Sequence, residues 1–243
     1  MTISETDRSD LPDIGHDGTN KHATDVIVFG LNQMSSQAWY LFTHDSPYRV
    51  VAFTVDAAFC DRTELHGLPV VPFETLSRVF PPEKFCIHLP IGWKGMNELR
   101  ASKLAESRML GYKAISYVST RANLWPDSTW GVNCEIHQGV DFGPFVSIGA
   151  NNLVFANVGI GHHTAIGDDC YIGGRVSICG GAEVGDRCVI AASSVILDGV
   201  KVASGCFIAA GALVTKDTEE NSVYFGRPAR KRKISPFRLP GVS

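Results

Sequence analysis

An apolar residue stands at every sixth position from Leu124 to Val214, without a break in register. A period of six fits neither an amphipathic helix nor an alternating strand, and it is typical of the hexapeptide repeat of a parallel β-helix. The apolar positions are Leu124, Trp130, Ile136, Phe142, Ile148, Val154, Ile160, Ile166, Ile172, Ile178, Val184, Ile190, Ile196, Val202, Ile208 and Val214.

The residues that flank the apolar positions support the same fold. Two positions before each of them the side chain is small or slender, and the residue that follows is often glycine. A chain that turns a corner every six residues needs backbone angles that a β-carbon resists, and we attribute these glycines to that need. They are Gly131, Gly143, Gly149, Gly161, Gly167, Gly173 and Gly185.

Three six-residue segments make one coil, so side chains eighteen positions apart are expected to stack. The repeat then gives about five coils and a prism roughly 25 Å long at the ~4.8 Å strand spacing. Cys170, Cys188 and Cys206 are eighteen apart. We interpret them as small apolar fillers in a reduced compartment, and the alternative is a metal or redox ladder.

The first half of the chain alternates apolar runs with helical patterns, which predicts βαβ units and a parallel sheet. The turn after the first strand, from Gly30, has one glycine where a dinucleotide-binding fingerprint needs three, so NAD binding is rejected. A helix that begins near Asn32 can still hold a phosphate at its N-terminus. Gly30, Asn32 and Asp56 are therefore candidate substrate-binding residues, and the alternative is a domain that only packs and positions. The predicted strands are 25–30, 48–55, 68–71 and 85–89, and the predicted helices are 32–43, 73–79 and 97–110.

Composition narrows the function classes. The net charge of −3 among 243 residues gives no sign of a nucleic-acid partner. No apolar stretch approaches the ~20 residues of a membrane span. Residues 1–24 are polar and are predicted to be a disordered leader without the apolar core of a signal peptide, so a cytoplasmic location is expected.

Departures from the repeat are where function is sought. His162 and His163 fall in turn positions after Ile160 and are expected to point outward, where an imidazole can take a proton near neutral pH. Gly180 and Gly181 occupy the same corner one coil later. A glycine there leaves its N–H approachable as a donor to an oxyanion, although a tight corner also needs glycine.

A basic segment follows the coil. Arg227 to Lys233 holds five cations on a mildly acidic chain, and arginine can bind phosphate through two hydrogen bonds. Solvated basic tails are the common alternative.

The chain resembles bacterial hexapeptide-repeat sugar acyltransferases. It is most similar to the group of sialic acid O-acetyltransferases and N-acetyltransferases of nucleotide-linked amino sugars. The similarity covers residues 25 to about 233. It includes Val50–Asp56 followed by Gly67-Leu68-Pro69-Val70, the corner from His162 to Asp168, and Gly226-Arg227-Pro228-Ala229-Arg230.

The resemblance implies a Rossmann-like α/β domain (25–118) that holds a nucleotide-linked amino sugar, followed by a left-handed parallel β-helix (119–218). It implies a homotrimer with acetyl-CoA, or another acyl-CoA, in the cleft between adjacent coils, and no metal. His162 matches the general base, with His163 beside it, and Gly180 matches the glycine whose amide faces the thioester carbonyl. The tail (219–243) matches the segment that covers CoA. The expected cofactor-binding residues are Gly180, Gly181, Arg227, Pro228, Ala229, Arg230 and Lys231.

Two positions depart from the family pattern. The residue after the base is often acidic in this family and is His163 here. The position nine past the base is often a second histidine and is Tyr171 here.

Several alternatives stay open. The leading hypothesis is N-acylation of a sugar amine by direct attack, and O-acylation of a sugar hydroxyl is the second. A zinc hydro-lyase of the carbonic anhydrase type would need three histidines around one metal, drawn from His137, His162 and His163. A non-catalytic binding scaffold is the fourth. The sugar, the nucleotide and the acyl chain length are not fixed by the sequence.

Overall fold

The computed structural model describes residues 24–228 and 230–239. Residues 1–23 of the predicted leader lie outside the described residues, as do Ala229 and residues 240–243 of the predicted tail. Within that described part, no helix is long and apolar enough to cross a membrane.

The N-terminal domain is an α/β domain with one six-stranded sheet. The strand order is β3-β4-β2-β1-β5-β6, and every pairing is parallel except the β3–β4 hairpin. The strands are β1 (Asp25–Phe29), β2 (Arg49–Val55), β3 (Glu64–Leu65), β4 (Leu68–Pro72), β5 (Cys86–His88) and β6 (Lys113–Ala114). The helices are α1 (Gln33–His44), α2 (Leu76–Val79) and α3 (Glu98–Met109), with 3-10 turns at Ala57–Phe59 and Phe73–Thr75.

Alternating residues of β1 enter two different cores because successive side chains of a strand point to opposite faces. Ile27 packs with Leu104 of α3, whereas Val28 packs with Phe42 of α1. The sheet is therefore covered on both sides, as is usual for a parallel sheet. The predicted βαβ units and parallel sheet are confirmed. The short strands β3 and β6 were not predicted.

The second half of the chain is a β-helix of two-residue strands on three parallel sheets. Pairing joins residues eighteen apart, as at Ile148 with Ile166 and Ile160 with Ile178, so the predicted coil length is confirmed. Tyr117–Val118, which the sequence analysis placed in the first domain, pairs with Glu135–Ile136 and belongs to the coil. The other coil strands are Thr129–Trp130, Asp141–Phe142, Ser147–Ile148, Leu153–Val154, Gly159–Ile160, Ala165–Ile166, Tyr171–Ile172, Ser177–Ile178, Glu183–Val184, Val189–Ile190, Val195–Ile196, Lys201–Val202, Phe207–Ile208 and Leu213–Val214.

The apolar residues of the repeat form the interior of the coil, as predicted. Cys170, Cys188 and Cys206 are fully buried there as free thiols. The thiol Sγ of Cys170 accepts a hydrogen bond from the backbone N–H of Cys188 at 3.4 Å, and burial raises the pKa of Cys206. These properties fit the prediction of small fillers.

Our explanation of the glycines that follow the apolar positions is wrong. Their φ angles are not positive; the left-handed residues lie two positions later, once in every six residues. Glycine is needed because an added β-carbon would strike the next coil: at Gly143 it would lie 2.6 Å from the backbone N of His162. The left-handed residues, which are distributed over the three edges of the coil, are Asn133, Gly139, Phe145, Asn151, Asn157, His163, Asp169, Arg175, Gly181, Arg187, Ser193, Gly199, Gly205 and Gly211.

The N-terminal domain is fastened to one edge of the coil, which we name the domain corner (Ala150–Asn151, Asp168–Asp169 and Asp186–Arg187). Arg100 of α3 is fully buried and donates hydrogen bonds to five backbone carbonyl groups on both sides of the junction. Burial lowers its pKa to about 10, against the opposing effect of Asp169, so the guanidinium remains charged at neutral pH.

A second buried contact joins the domains. The carboxylate of Glu135 bonds to His88 Nε2 at 3.1 Å and to His137 Nε2 at 2.7 Å, and all three side chains are at most 2% exposed. Burial alone would raise the pKa of Glu135, but the hydrogen bonds from His137 and then His88 outweigh it and lower that pKa to about 2. The junction is therefore polar and charged as well as apolar.

The tail turns back along the end of the coil. Val223–Phe225 extends the coil sheet in parallel, and Arg230–Arg232 pairs with it in antiparallel fashion, before a 3-10 turn at Pro236–Arg238. Leu239 reaches the apolar cluster around Phe207 and Trp93, so the described tail contacts both domains.

Candidate functional site

The candidate site lies at a different edge, which we name the histidine corner (Pro144–Phe145, His162–His163 and Gly180–Gly181). The three pairs stack because the N–H of His163 donates to Pro144 O at 2.9 Å and the N–H of Gly181 donates to His162 O at 2.8 Å. Both histidines are exposed, which confirms their predicted outward orientation.

The imidazole of His162 lies directly over Gly180. A β-carbon added to Gly180 would lie 2.7 Å from Cε1 and 2.8 Å from Nε2 of that ring. Any side chain larger than hydrogen at residue 180 would therefore displace the imidazole. The φ angle of Gly180 is not in the left-handed region, so its backbone conformation does not require glycine. Glycine is needed here because the imidazole approaches so closely.

Among the described residues, no acceptor bonds to the N–H of Gly180. The equivalent amides of the domain corner differ, because Ala150 N–H donates to Asp168 Oδ1 at 2.7 Å and Asp168 N–H donates to Asp186 Oδ1 at 2.8 Å. The histidine corner thus combines a free backbone donor with an exposed imidazole. Such a pair can remove a proton and stabilise a nearby oxyanion.

His163 contacts the Nδ1 atom of His162, whereas Nε2 of His162 lies over Gly180. The two Nδ1 atoms are 3.2 Å apart, and the rings are nearly perpendicular. Phe145, one coil earlier, packs on His163 with ring centroids 4.7 Å apart. Sequence reasoning missed Phe145, although its position eighteen residues before His163 was a usable signal.

The structure places the predicted cofactor-binding residues in two separate groups. Gly180 and Gly181 lie at the histidine corner, whereas Arg227 donates through Nε to Gly211 O at a different corner. Lys231 forms an ion pair with Glu219, and Arg230 is exposed beside it in the last strand. Within one chain, no hydrogen bond or ion pair of the described residues joins this tail to His162.

The candidate substrate-binding residues lie together at the carboxyl edge of the sheet. The N–H of Gly30 donates to Thr54 O at 2.6 Å, which places the ends of β1 and β2 side by side. Asn32 caps α1 by accepting from Met34 N–H at 2.9 Å and Ser35 N–H at 3.2 Å. Two of the helix N–H groups that we expected to hold a phosphate are therefore engaged.

Asp56, at the end of β2, forms an ion pair with Lys103 Nζ at 2.7 Å. That ammonium group also contacts Glu106 and lies over the rings of Phe29 and Phe73. Lys103 was not predicted, because its position within a helix pattern does not reveal which strand end it faces.

The zinc hypothesis required His137 beside His162 and His163. His137 is instead buried, bonded to Glu135 and stacked on Phe155. No group of three or more His, Cys, Asp or Glu side chains in residues 24–228 and 230–239 is arranged to hold a metal ion. Tyr171, where the family often has a second histidine, packs against Trp93 of the N-terminal domain.

Comparison with known proteins identifies the repeat. A family profile described as "Bacterial transferase hexapeptide (six repeats)" matches residues 163–198 and 181–216. No curated protein sequence matches the chain.

Solved structures of acetyltransferases share the architecture of both domains. A histidine-to-asparagine mutant of perosamine N-acetyltransferase from Caulobacter crescentus, in complex with CoA and GDP-perosamine, is 18% identical, with a TM-score of 0.79 over 86% of this chain and 97% of that chain. The acetyltransferase domain of PglB from Neisseria gonorrhoeae, in complex with acetyl coenzyme A, is 19% identical, with a TM-score of 0.76 over 87% of this chain and 100% of that chain.

WeeI from Acinetobacter baumannii is 19% identical, with a TM-score of 0.62 over 85% of this chain and 99% of that chain. At these identities the likeness shows the fold. The resemblance stated from the sequence is therefore confirmed in its repeat and its architecture: an α/β domain followed by a left-handed β-helix of bacterial transferase hexapeptide repeats.

Proposed function

We propose that this protein is an acyl-CoA-dependent N-acyltransferase that acetylates the amino group of a nucleotide-linked amino sugar. The observation that carries the proposal is the exposed imidazole of His162 over Gly180, whose N–H has no acceptor in the part of the chain that the structure describes. The shared fold supports it, since the Caulobacter protein of that fold is an N-acetyltransferase in complex with CoA and GDP-perosamine.

The reaction proceeds by direct attack without a covalent enzyme intermediate. The amine nitrogen forms a bond to the thioester carbonyl carbon, and Nε2 of His162 takes a proton from that nitrogen. The N–H of Gly180 donates to the oxyanion of the tetrahedral intermediate. The C–S bond then breaks, and the CoA thiolate leaves and takes up the proton from His162.

The acceptor is proposed to bind at the carboxyl edge of the N-terminal sheet, near Gly30, Asn32 and Asp56. In one chain that domain is fastened to the domain corner, whereas His162 stands at another edge. A homotrimer would place the histidine corner of one chain against a neighbour, with acyl-CoA in the cleft between two coils. Arg227, Pro228, Arg230 and Lys231 are proposed to cover the coenzyme there.

The test of function is an acceptor panel with radiolabelled acetyl-CoA and the purified protein. GDP- and UDP-linked amino sugars are compared with the matching hydroxyl sugars and with free amino sugars. Label in an amide product supports the proposal, label in an ester supports O-acetylation, and no transfer with any acceptor contradicts both.

His162→Ala tests the base. A positioned base contributes about 10²–10⁴-fold, so turnover should fall by that factor while acetyl-CoA binding measured by calorimetry is retained. His44→Ala, in the last turn of α1, is the control and should keep full turnover. Full activity of the His162 variant would contradict the assigned role.

A further inference from the structure

Phe145 occupies a backbone conformation that its side chain disfavours. Its φ is +63°, and most of the other left-handed residues of the coil are Asn, Gly, Asp or Ser. Phenylalanine has no polar atom with which to stabilise that conformation, which costs roughly 1–2 kcal/mol for such a residue. Within one chain burial does not compensate, because Phe145 remains 55% exposed. Strained backbone conformations are concentrated at functional sites, so we infer that Phe145 contributes to the functional group it contacts.

The nearest functional group is His163. The Phe145 ring packs on the His163 imidazole, and the Nδ1 atom of that imidazole lies 3.2 Å from Nδ1 of His162. Residue 163 is itself left-handed, with φ +58°. The arrangement is therefore a row of three rings along one edge, from Phe145 through His163 to the candidate base.

Only one proton fits between the two Nδ1 atoms, so its position decides which ring nitrogen of His162 is free. If His162 donates from Nδ1, its Nε2 carries a lone pair that faces the Gly180 side and can accept a proton. If His163 donates instead, neutral His162 carries its proton on Nε2 and cannot act as a base. The partner of His162 must therefore be an acceptor.

We propose that His163 is a positioning residue, which accepts from His162 Nδ1 and leaves Nε2 free, and that Phe145 fixes the ring of His163 in that orientation. The inference rests on the proposed function and adds the two residues that orient its base. When Nε2 takes the proton of the acceptor amine, His162 becomes a cation, and its hydrogen bond to neutral His163 strengthens because the donor is then charged.

Phe145→Asn separates this role from a structural one. Asn is well tolerated in the left-handed region, so the melting temperature should stay the same or rise. Turnover should fall about tenfold, the lower end of the loss that follows removal of a partner that orients a metal-bound imidazole. The KM for acetyl-CoA should change less than about twofold, because the loss affects the transition state rather than binding.

Arg187→Asn is the matched control. Arg187 is also exposed and left-handed, with φ +54°, but it lies at the domain corner. It should show the same neutral or positive effect on melting temperature and no change in turnover. Equal turnover of Phe145→Asn and Arg187→Asn would overturn the role of Phe145.

His163→Ala and His163→Asn test the hydrogen bond. Alanine removes the acceptor and should lower turnover about 10- to 100-fold. Asparagine tolerates the left-handed backbone and offers Oδ1 as an acceptor, so it should restore much of that loss. A His163→Ala variant with wild-type turnover, or an asparagine variant no better than alanine, would overturn the assignment.

A readout without catalysis completes the test. The ¹⁵N shifts of the histidine rings in the full-length protein should show His162 protonated on Nδ1 and His163 unprotonated there, with both signatures lost in His163→Ala. The reverse tautomers would overturn this proposal alone. Failure of the wild-type protein to transfer any acyl group would instead contradict the proposed function, whatever the tautomers.

Discussion

At Gly161 the absence of a β-carbon lets the backbone of the next coil pack close to the candidate site. A β-carbon there would lie 2.5 Å from the backbone N of Gly180, so the peptide that presents the proposed oxyanion donor rests directly on Gly161. Gly173 stands in the same relation to Ala192, at 2.7 Å, in another part of the coil. The two glycines therefore carry the same packing constraint and differ in what lies above them.

Gly161→Ala should displace the Cys179–Gly180 peptide and lower turnover by about 10²-fold, the lower range reported for loss of one oxyanion donor. Gly173→Ala should lower the melting temperature by a similar amount, because it produces the same clash, yet keep its turnover. Thermal unfolding and steady-state kinetics on both variants provide the check. An equal loss of turnover in the two variants would mean that the loss comes from a less stable coil and not from the displaced N–H of Gly180.

The six-residue period predicted correctly which residues stack on each other. It did not predict properties that depend on the backbone angle of a single residue. The eighteen-residue stacking placed Gly180 one coil beyond His162, and the structure has that contact. The same pattern misassigned the reason for the glycines, because a period reveals which residues stack but not which of them is left-handed. The eighteen-residue spacing of Phe145 and His163 places them on one edge, but it does not reveal that their rings pack on each other.

At the scale of elements, α3 is held to the coil by an arginine that is fully buried. Arg100 bonds to carbonyl oxygens of Asn151, Asp169 and Cys170 in the coil and of Ile91 and Gly92 in its own domain. Residue 100 lies within the helix predicted from the sequence, but arginine is mostly found on the surface. The docking face of α3 was therefore invisible to pattern reasoning.

Arg100→Met should cost roughly 3–5 kcal/mol of unfolding free energy, since it keeps the approximate volume but leaves five carbonyl groups, three of them in buried hydrogen bonds, without their donor. Arg108→Met, at an exposed position of the same helix, should change the unfolding free energy by less than about 0.5 kcal/mol. Urea denaturation monitored by circular dichroism measures both. A loss below 1 kcal/mol for Arg100→Met would contradict the fastening role.

For the whole molecule, the buried bonds of Glu135 to His88 and His137 predict acid sensitivity. The pKa of Glu135 is lowered from 4.5 to about 2 in the folded protein, so the unfolded chain binds a proton first as the pH falls. The stabilisation is complete above about pH 4.5 and is lost progressively down to about pH 2. A difference of that size corresponds to about 3 kcal/mol.

Unfolding free energies measured at intervals between pH 6 and pH 2.5 should therefore decline more steeply in the wild-type protein than in Glu135→Gln. The glutamine variant removes the titrating group and is expected to be less stable at pH 6. Identical slopes in the two proteins would show that other carboxylates dominate the acid response.

The architecture of each half was predictable because hydrophobic periodicity is local information. The coil, the parallel sheet and most helix bounds follow from it. The junction between the halves was not predictable, since it depends on Arg100, Glu135 and His88, whose types usually indicate surface positions. In the proposed reaction, the way in which the acceptor reaches His162 also depends on the edge of the coil to which the N-terminal domain is attached.

Because the domain corner and the histidine corner are separate edges of one coil, a working centre in the proposed trimer would draw its parts from two polypeptides. Defects in the two parts would then complement each other. A chain with His162→Ala and a chain with Asp56→Ala, each inactive alone, should regain activity after joint refolding, in about one quarter of the centres if subunits mix at random. Mixed assemblies with no recovered turnover would place both parts of each centre within a single polypeptide.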